Sequence, residues 1–298
     1  MTNRILAIGE CMVEMAPQAQ GGYAMGFAGD TLNTAWYLRK ALPTDWEISY
    51  LTGVGTDAMS QQMTEFISTA GIRPEFLTVT DRTVGLYMIS LKDGERSFSY
   101  WRSVSAARKL GQHHTPIDTL RAGDVAYFSG ITMAIVEPED RSALLDRLTS
   151  ARERGVIIAF DPNLRPRLWA NNHEMRDWIM KAAAVSDIAL PSFEDEADIF
   201  GDAGKAATLK RYQDAGVSCV VVKDGPADVL AQIGTNTPVT VTPQINPSPV
   251  DTTAAGDSFN AAFLAVYLRD KDLAKAIGAG CALSYQVVSH KGALVDLS

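Results

Sequence analysis

The sequence predicts an α/β fold, a three-layer α/β/α arrangement around a mostly parallel central sheet with a small β-sheet projecting from it. Three observations predict it. Short apolar runs alternate with longer amphipathic ones, the pattern of parallel strands covered on both faces by helices. Two stretches break that alternation and hold paired strands with no helix between them. The chain has 298 residues, 46% hydrophobic and 21% charged, enough for one large domain with its own core and no metal or disulfide staple.

The apolar runs place strands at Ile5–Ile8, Ile48–Thr52, Val125–Ser129, Val156–Asp161, Ile188–Leu190 and Cys219–Lys223. Amphipathic spacing places helices at about 31–42, 57–70, 138–154, 171–185, 194–200, 204–215, 257–269 and 272–289. The first irregular stretch pairs Met12–Pro17 with Tyr23–Phe27 around Gly21-Gly22, and the second pairs Val84–Ser90 with Arg96–Arg102 around Asp93-Gly94. Nothing along the chain reads as a linker or a repeat, so residues 1–298 are expected to form a single domain with segments 12–27 and 84–102 inserted as a β-lid.

A formal net charge of −8 argues against nucleic acid or an anionic membrane as partner, but not against a small anion in a local basic pocket. Cys11, Cys219 and Cys281 are far apart and form no C-x-x-C pair, which fits free thiols in a reducing cytoplasm. His113-His114 points its rings apart and makes a poor metal site. The opening apolar run is too short for a leader and no segment is long enough to span a bilayer, so a cytoplasmic location is expected.

Gly53–Ala58 matches G-x-G-x-x-A, but its strand is not the chain's first, so it reads better as a tight turn capped by Asp57. No G-x-x-x-x-G-K-[ST] occurs. The informative stretch is Asp251-Thr-Thr-Ala254-Ala255-Gly256-Asp257, which leads into a helix whose apolar face carries Phe259, Ala262, Phe263 and Val266. Small residues at a helix mouth let backbone N–H groups face an anion with the helix dipole behind them. A carboxylate beside such a hole repels phosphate unless it has a use, and accepting a proton from an attacking hydroxyl is one. Gly29-Asp30-Thr-Leu-Asn33 precedes another helix, where Asp30 and Asn33 can hold sugar hydroxyls. Asp161-Pro-Asn163-Leu-Arg165-Pro-Arg167 follows a strand, at the end where ligands bind in open sheets. Its arginines must face solvent or an anion. Lys223 and Gly225 close another strand. Phe98, Tyr100 and Arg102 alternate onto one strand face, a combination suited to a hydroxylated acid.

These stretches resemble the ribokinase-like sugar kinases of the phosphofructokinase B family. The family's D-T-x-[GA]-A-G-D motif stands here as Asp251–Asp257, and its N-terminal glycine motif as Ala28–Asn33. The stretches 9–15, 26–38, 94–102, 160–170 and 251–265 are most similar to members acting on 2-keto-3-deoxygluconate, and the likeness runs to Ala293. The resemblance implies ATP and Mg²⁺, with a monovalent cation such as K⁺, and phosphorylation of the 6-hydroxyl of that sugar acid. It implies Asp257 as general base and the backbone of Ala254–Asp257 as anion hole. It implies substrate contacts from Gly29, Tyr87, Tyr100, Arg102 and Arg165, and nucleotide contacts from Asn163, Arg165, Ser192, Lys223, Gly225, Asp228 and Cys281. It implies an oligomer, the exposed lid edge being a surface a second copy could cover. The family's N-x-x-E stands here as Ser192–Asp195, which leaves open whether Asp195 or Glu196 handles metal. Ala254 replaces a frequent glycine, and its Cβ predicts that this residue avoids positive φ. Kinases for fructose, ribose, a nucleoside or deoxygalactonate, and a non-catalytic sugar-acid sensor, are the alternatives.

Overall fold

The computed structural model describes residues 3–18, 20–92 and 95–297. The chain starts with β1 (Asn3–Ile8), then β2 (Met12–Pro17), β3 (Tyr23–Ala28) and α1 (Asp30–Ala41). Next come β4 (Trp46–Leu51), β5 (Gly53–Val54), α2 (Ala58–Thr69), β6 (Arg73–Pro74), β7 (Leu77–Thr78), β8 (Gly85–Lys92) and β9 (Glu95–Trp101). A short α3 (Thr115–Asp118) leads to β10 (Val125–Ser129), α4 (Gly130–Ile135), α5 (Arg141–Glu153), β11 (Ile157–Asp161) and α6 (Asn172–Ala184). The last part runs β12 (Ile188–Ala189), α7 (Phe193–Phe200), α8 (Lys205–Asp214), β13 (Cys219–Val222), β14 (Val229–Ile233), β15 (Val239–Val241), α9 (Ala255–Asp270) and α10 (Leu273–Val287).

The main sheet has nine strands in the order β15-β14-β13-β12-β11-β10-β1-β4-β6. It is parallel from β6 to β13, and β14 and β15 add an antiparallel edge. Strand sequences explain the layers. In β1, Ile5 and Ala7 pack with Leu32, Phe259 and Phe263 on one face, while Leu6 and Ile8 pack with Leu144, Leu148 and Ile179 on the other. Both faces are thus apolar, as a parallel strand under helices requires. Burying each such aliphatic side chain stabilises the fold by about 1.5–3 kcal/mol. The chain begins in the middle of the sheet, builds β4 on one side, and returns to build β10 on the other. The crevice beside β1 and β10 is therefore a topological switch point, where such sheets bind ligands.

The six predicted strands are all present within two residues at either end. Strands β14 and β15 were not predicted, because a half-buried edge mixes Gln232 and Thr240 with its apolar residues and weakens the pattern. The predicted helix at 138–154 is a 3₁₀ turn over Pro138–Asp140 followed by α5. The glycine pair at 53 and 55 is structural: a Cβ on Gly53 would stand 2.3 Å from the Ala106 carbonyl oxygen, and Asp57 caps α2 through the amides of Met59 and Ser60.

The irregular stretches form a separate four-stranded sheet in the order β3-β2-β8-β9. Its two antiparallel pairs join through a parallel contact of β2 with β8. The Asp93-Gly94 turn lies outside the described residues. Registers Glu14↔Gly26, Glu14↔Tyr87 and Tyr87↔Tyr100 put Gly26, Glu14, Tyr87 and Tyr100 in one row across all four strands. Among the described residues no helix is long and apolar enough to cross a membrane.

Candidate active site

The carboxyl ends of the parallel strands meet at one place. Glu10 follows β1, Ser129 ends β10, Asp161 ends β11, Ser192 follows β12 and Lys223 follows β13. Helix α9 points its N-terminus at them. Asp257, in its first turn, accepts a 2.8 Å hydrogen bond at Oδ2 from Asn33 Nδ2 on α1. Thr34 Oγ1 reaches the carbonyl oxygens of Asp30 and Asp257 at 3.1 and 3.3 Å. Asn163 Nδ2 donates to Asp30 Oδ2 at 2.9 Å, and the Asn163 amide donates to Asp161 Oδ1 at 3.2 Å. Asn260, one turn along α9 from Asp257, donates to Asp161 Oδ2 at 2.6 Å and accepts from Lys223 Nζ at 3.0 Å. The Lys223 ammonium also lies 3.5 Å from Asp161.

In so dry a place the carboxyls of Asp257 and Asp30 do not ionise freely. Burial, then the charge of Asp30, pushes the Asp257 carboxyl up to about 8, against the pull of the Asn33 hydrogen bond and of Lys223. Burial also holds Asp30 above its ordinary range, opposed by hydrogen bonds from Ser129 and Asn163. Burial thus raises the Asp257 carboxyl toward neutral pH, with the Lys223 side chain nearby.

The turn into α9 corrects two expectations. The helix starts at Ala255 rather than at 257, so Asp257 is inside the first turn and is not the cap. The cap is Ala254, in the left-handed region at φ 60° and ψ 15°, although its Cβ predicted otherwise. That conformation costs roughly 1 kcal/mol for a residue with a Cβ. The surroundings impose it: Ala254 is buried, its carbonyl accepts the Ser258 amide at 2.9 Å, and Ala255 N–H is turned to the Thr252 carbonyl at 3.2 Å. No side chain caps the helix, and the Gly256 and Asp257 amides have no partner among the described residues. A Cβ on Gly256 would stand 3.7 Å from Lys223 Nζ. The uncapped turn without a lysine of its own thus has one next to it, brought from the end of β13.

A cleft of about 600 Å³ opens from this turn. Its lining includes Thr252, Ala255 and Gly256 of the turn, Ser192, Asp195, Lys223 and Gly225 from the strand ends, and Ile245, Phe259, Cys281, Tyr285 and Val288. Gly225 makes its turn at φ 51°. Of the residues expected near nucleotide, Ser192, Lys223, Gly225, Ala255, Gly256 and Cys281 line the cleft. Asp228 does not; its carbonyl accepts from Lys205 Nζ at 2.7 Å. Asn163 sits between Asp30 and Asp161 instead, and Arg165 is half-exposed at the rim, 3.5 Å from Asp195 Oδ2.

The structure separates Asp195 from Glu196 by burial. Glu196 is fully buried, holding Arg211 at 2.7 Å and the Tyr212 hydroxyl at 2.8 Å, so it cannot meet a ligand. Asp195 lines the cleft, where burial and the neighbouring Asp161 raise its carboxyl, and a cation would relieve both. Among the described residues no three acidic, His or Cys side chains gather as a metal site.

On the small sheet, the Tyr87 ring centroid lies 5.9 Å from that of Tyr100 and 6.2 Å from that of Phe98. The Arg102 guanidinium carbon stands 5.9 Å from the Tyr100 ring centre, so the alternating face predicted from sequence is present. Contacts join this face to Asp257. Asn33 Oδ1 accepts from the Gly29 amide at 3.4 Å, a Cβ on Gly29 would overlap the Glu10 carbonyl oxygen at 2.1 Å, and the Glu10 carboxylate pairs with Arg102. Gly29 is needed for that close approach. Sequence reasoning missed Thr34, Tyr127, Ser129, Asp161 and Asn260 as members of the site. A carboxylate closing a fully apolar strand was the available signal for Asp161.

Comparisons with known proteins agree on the kind of molecule. The family described as pfkB family carbohydrate kinase matches residues 2–298. A 2-dehydro-3-deoxygluconokinase of Haemophilus influenzae is 37% identical, covering 98% of this chain and 96% of that protein. One from Escherichia coli K12 is 35% identical, covering 99% and 98%. A fructokinase from Vibrio cholerae O395, solved with fructose, ADP and calcium ion, matches with a TM-score of 0.84 at 22% identity, over 98% of this chain and 95% of that one. At that identity the likeness shows the shared fold alone.

Proposed function

The chain belongs to the pfkB family of carbohydrate kinases, and from that premise we propose that it transfers the γ-phosphoryl of ATP to the 6-hydroxyl of 2-dehydro-3-deoxy-D-gluconate. The observation that carries the chemistry is Asp257, held by Asn33 beside the uncapped amides of α9. The observation that carries the substrate is Arg102 beside Tyr87 and Tyr100 on the small sheet, in a chain similar throughout its length to 2-dehydro-3-deoxygluconokinases. A guanidinium at that place suits a carboxylate better than the hydroxyls of a neutral hexose.

In this reading Asn33 fixes Asp257 Oδ2 and leaves Oδ1 to take the proton of the attacking hydroxyl. The amides of Gly256 and Asp257, with the helix dipole and Lys223, stabilise negative charge on the group in transfer. Mg²⁺ entering with the nucleotide would draw charge off the phosphate oxygens, and Asp195 is one of the carboxylates on the cleft that would hold it. The small sheet acts as a lid over a single kinase domain, and its closure excludes water that would otherwise compete for the phosphoryl group. Catalysis comes from positioning and electrostatics.

A coupled ADP-release assay tests the proposal across 2-keto-3-deoxygluconate, 2-keto-3-deoxygalactonate, fructose and ribose. The keto-deoxy sugar acids are expected to give the highest kcat/KM. Preference for fructose or ribose would overturn the substrate, and no ADP release with any of them would overturn the activity.

A further inference from the structure

The motif Gly9-Glu10-Cys-Met-Val-Glu14-Met15 contributes two carboxylates that the mechanism above does not use. Each is bound to a residue of the substrate face. Glu10 leaves the end of β1 and is 2% exposed. Its Oε1 accepts from the Ser105 hydroxyl and its Oε2 pairs with Arg102 Nη2. Gly85 makes the room for this pair, since a Cβ there would lie 2.8 Å from Glu10 Oε1 and 3.3 Å from Arg102 Cβ. Glu14 lies in the row Gly26-Glu14-Tyr87-Tyr100, and its Oε2 accepts the Tyr87 hydroxyl proton.

We propose that Glu10 and Glu14 are positioning residues that fix how Arg102 and Tyr87 meet the substrate, Glu10 acting on its carboxylate and Glu14 on one of its hydroxyls. The inference rests on the sugar-acid reading given above. A buried arginine without a counterion is strongly disfavoured, and a free one would sample many rotamers. With one nitrogen on Glu10, the Arg102 fork is held still, and its Nε is buried with no partner among the described residues. The guanidinium N–H groups not turned to Glu10 are the donors left for a second carboxylate, and a ligand without one leaves them unmet. Tyr87 is held in a similar way. Its proton is committed to Glu14, so its oxygen offers only lone pairs and accepts from a substrate hydroxyl.

The test compares 2-keto-3-deoxygluconate with 3-deoxyfructose, the same carbon chain bearing an alcohol where the acid has its carboxylate. Glu10→Gln is expected to raise KM for the acid about tenfold with kcat within about twofold, and to move KM for 3-deoxyfructose and for ATP less than about threefold. Glu14→Gln is expected to raise KM for both sugars alike, by about fivefold. In Glu10→Gln/Arg102→Ala the two losses should not add, because the residues act as a unit. Ser105→Ala loosens the same carboxylate and should show a smaller loss with the same preference for the acid, which keeps the test open if Glu10→Gln folds poorly. An unchanged KM for the acid in both Glu10→Gln and Ser105→Ala, an equal loss for the two sugars in Glu10→Gln, or additive losses in the double variant overturn the role of Glu10. An unchanged KM for both sugars in Glu14→Gln overturns that of Glu14. Failure of the unaltered protein to phosphorylate the acid while it accepts 3-deoxyfructose is a different result, and sinks the sugar-acid reading itself.

Discussion

The strand-end cluster and the small sheet solve opposite problems. Around Asp257 the groups are buried, satisfied by one another, and set by elements packed on both faces of a nine-stranded sheet. On the recognition face of the small sheet Phe98 and Tyr100 are 40% and 50% exposed, and Arg102 and Tyr87 beside them are held by a single ion pair and a single hydrogen bond. A rigid, charge-crowded site suits phosphoryl transfer, which asks for preorganised charge. An open, half-wet face suits recognition by a surface that closes over its ligand. Damage to the first should therefore appear in kcat, and damage to the second in KM.

The largest expected effect is at Asp257. Asp257→Asn should lower kcat by roughly 10²–10⁴ while ATP binding, followed by calorimetry, stays intact. The same residue sets a pH dependence. Asp257 is protonated below its raised pKa of about 8, so kcat/KM should rise through pH 7, reach half its maximum near pH 8 and level off only above about pH 9. A profile flat from pH 6 to 9 would remove Asp257 as the base. Next is Arg102→Ala, which should raise KM for the sugar acid by about 10–10² and change kcat little. A fall in kcat with unchanged KM would erase the contrast between the two regions. The smallest effect is at Ala254→Gly, which relieves the left-handed strain and should raise Tm by about 1–3 °C without changing turnover. A lower Tm would mean that the Cβ of Ala254 contributes packing that outweighs the strain.

Sequence alone carried the scaffold and the face of the small sheet well. Apolar runs such as Val125–Ser129 have one reading when buried on both sides, and the alternation Phe98, Tyr100, Arg102 has one reading on a half-buried strand. The polar network was hidden for a physical reason. Tyr127 in β10 and Asn260 in α9 look like ordinary members of a strand and a helix, and what distinguishes them is a hydrogen bond between residues 133 positions apart. The same holds for Lys223. Its place beside Gly256 follows from neighbouring layers, and no local pattern contains that. Ala254 shows the reverse case, where a sound local preference yields to a turn that the surrounding hydrogen bonds require.

The hydrogen bond between Asn33 and Asp257 joins residues 224 positions apart, and the Tyr37 hydroxyl on α1 donates to the Ala293 carbonyl at 2.7 Å. During translation Asn33 is made well before Asp257. At ordinary rates of about 5–20 residues per second, roughly 10–45 s separate the two. A nascent chain in that interval can bury much of its sheet, yet it has no aligned carboxylate and no α9 turn to receive phosphate.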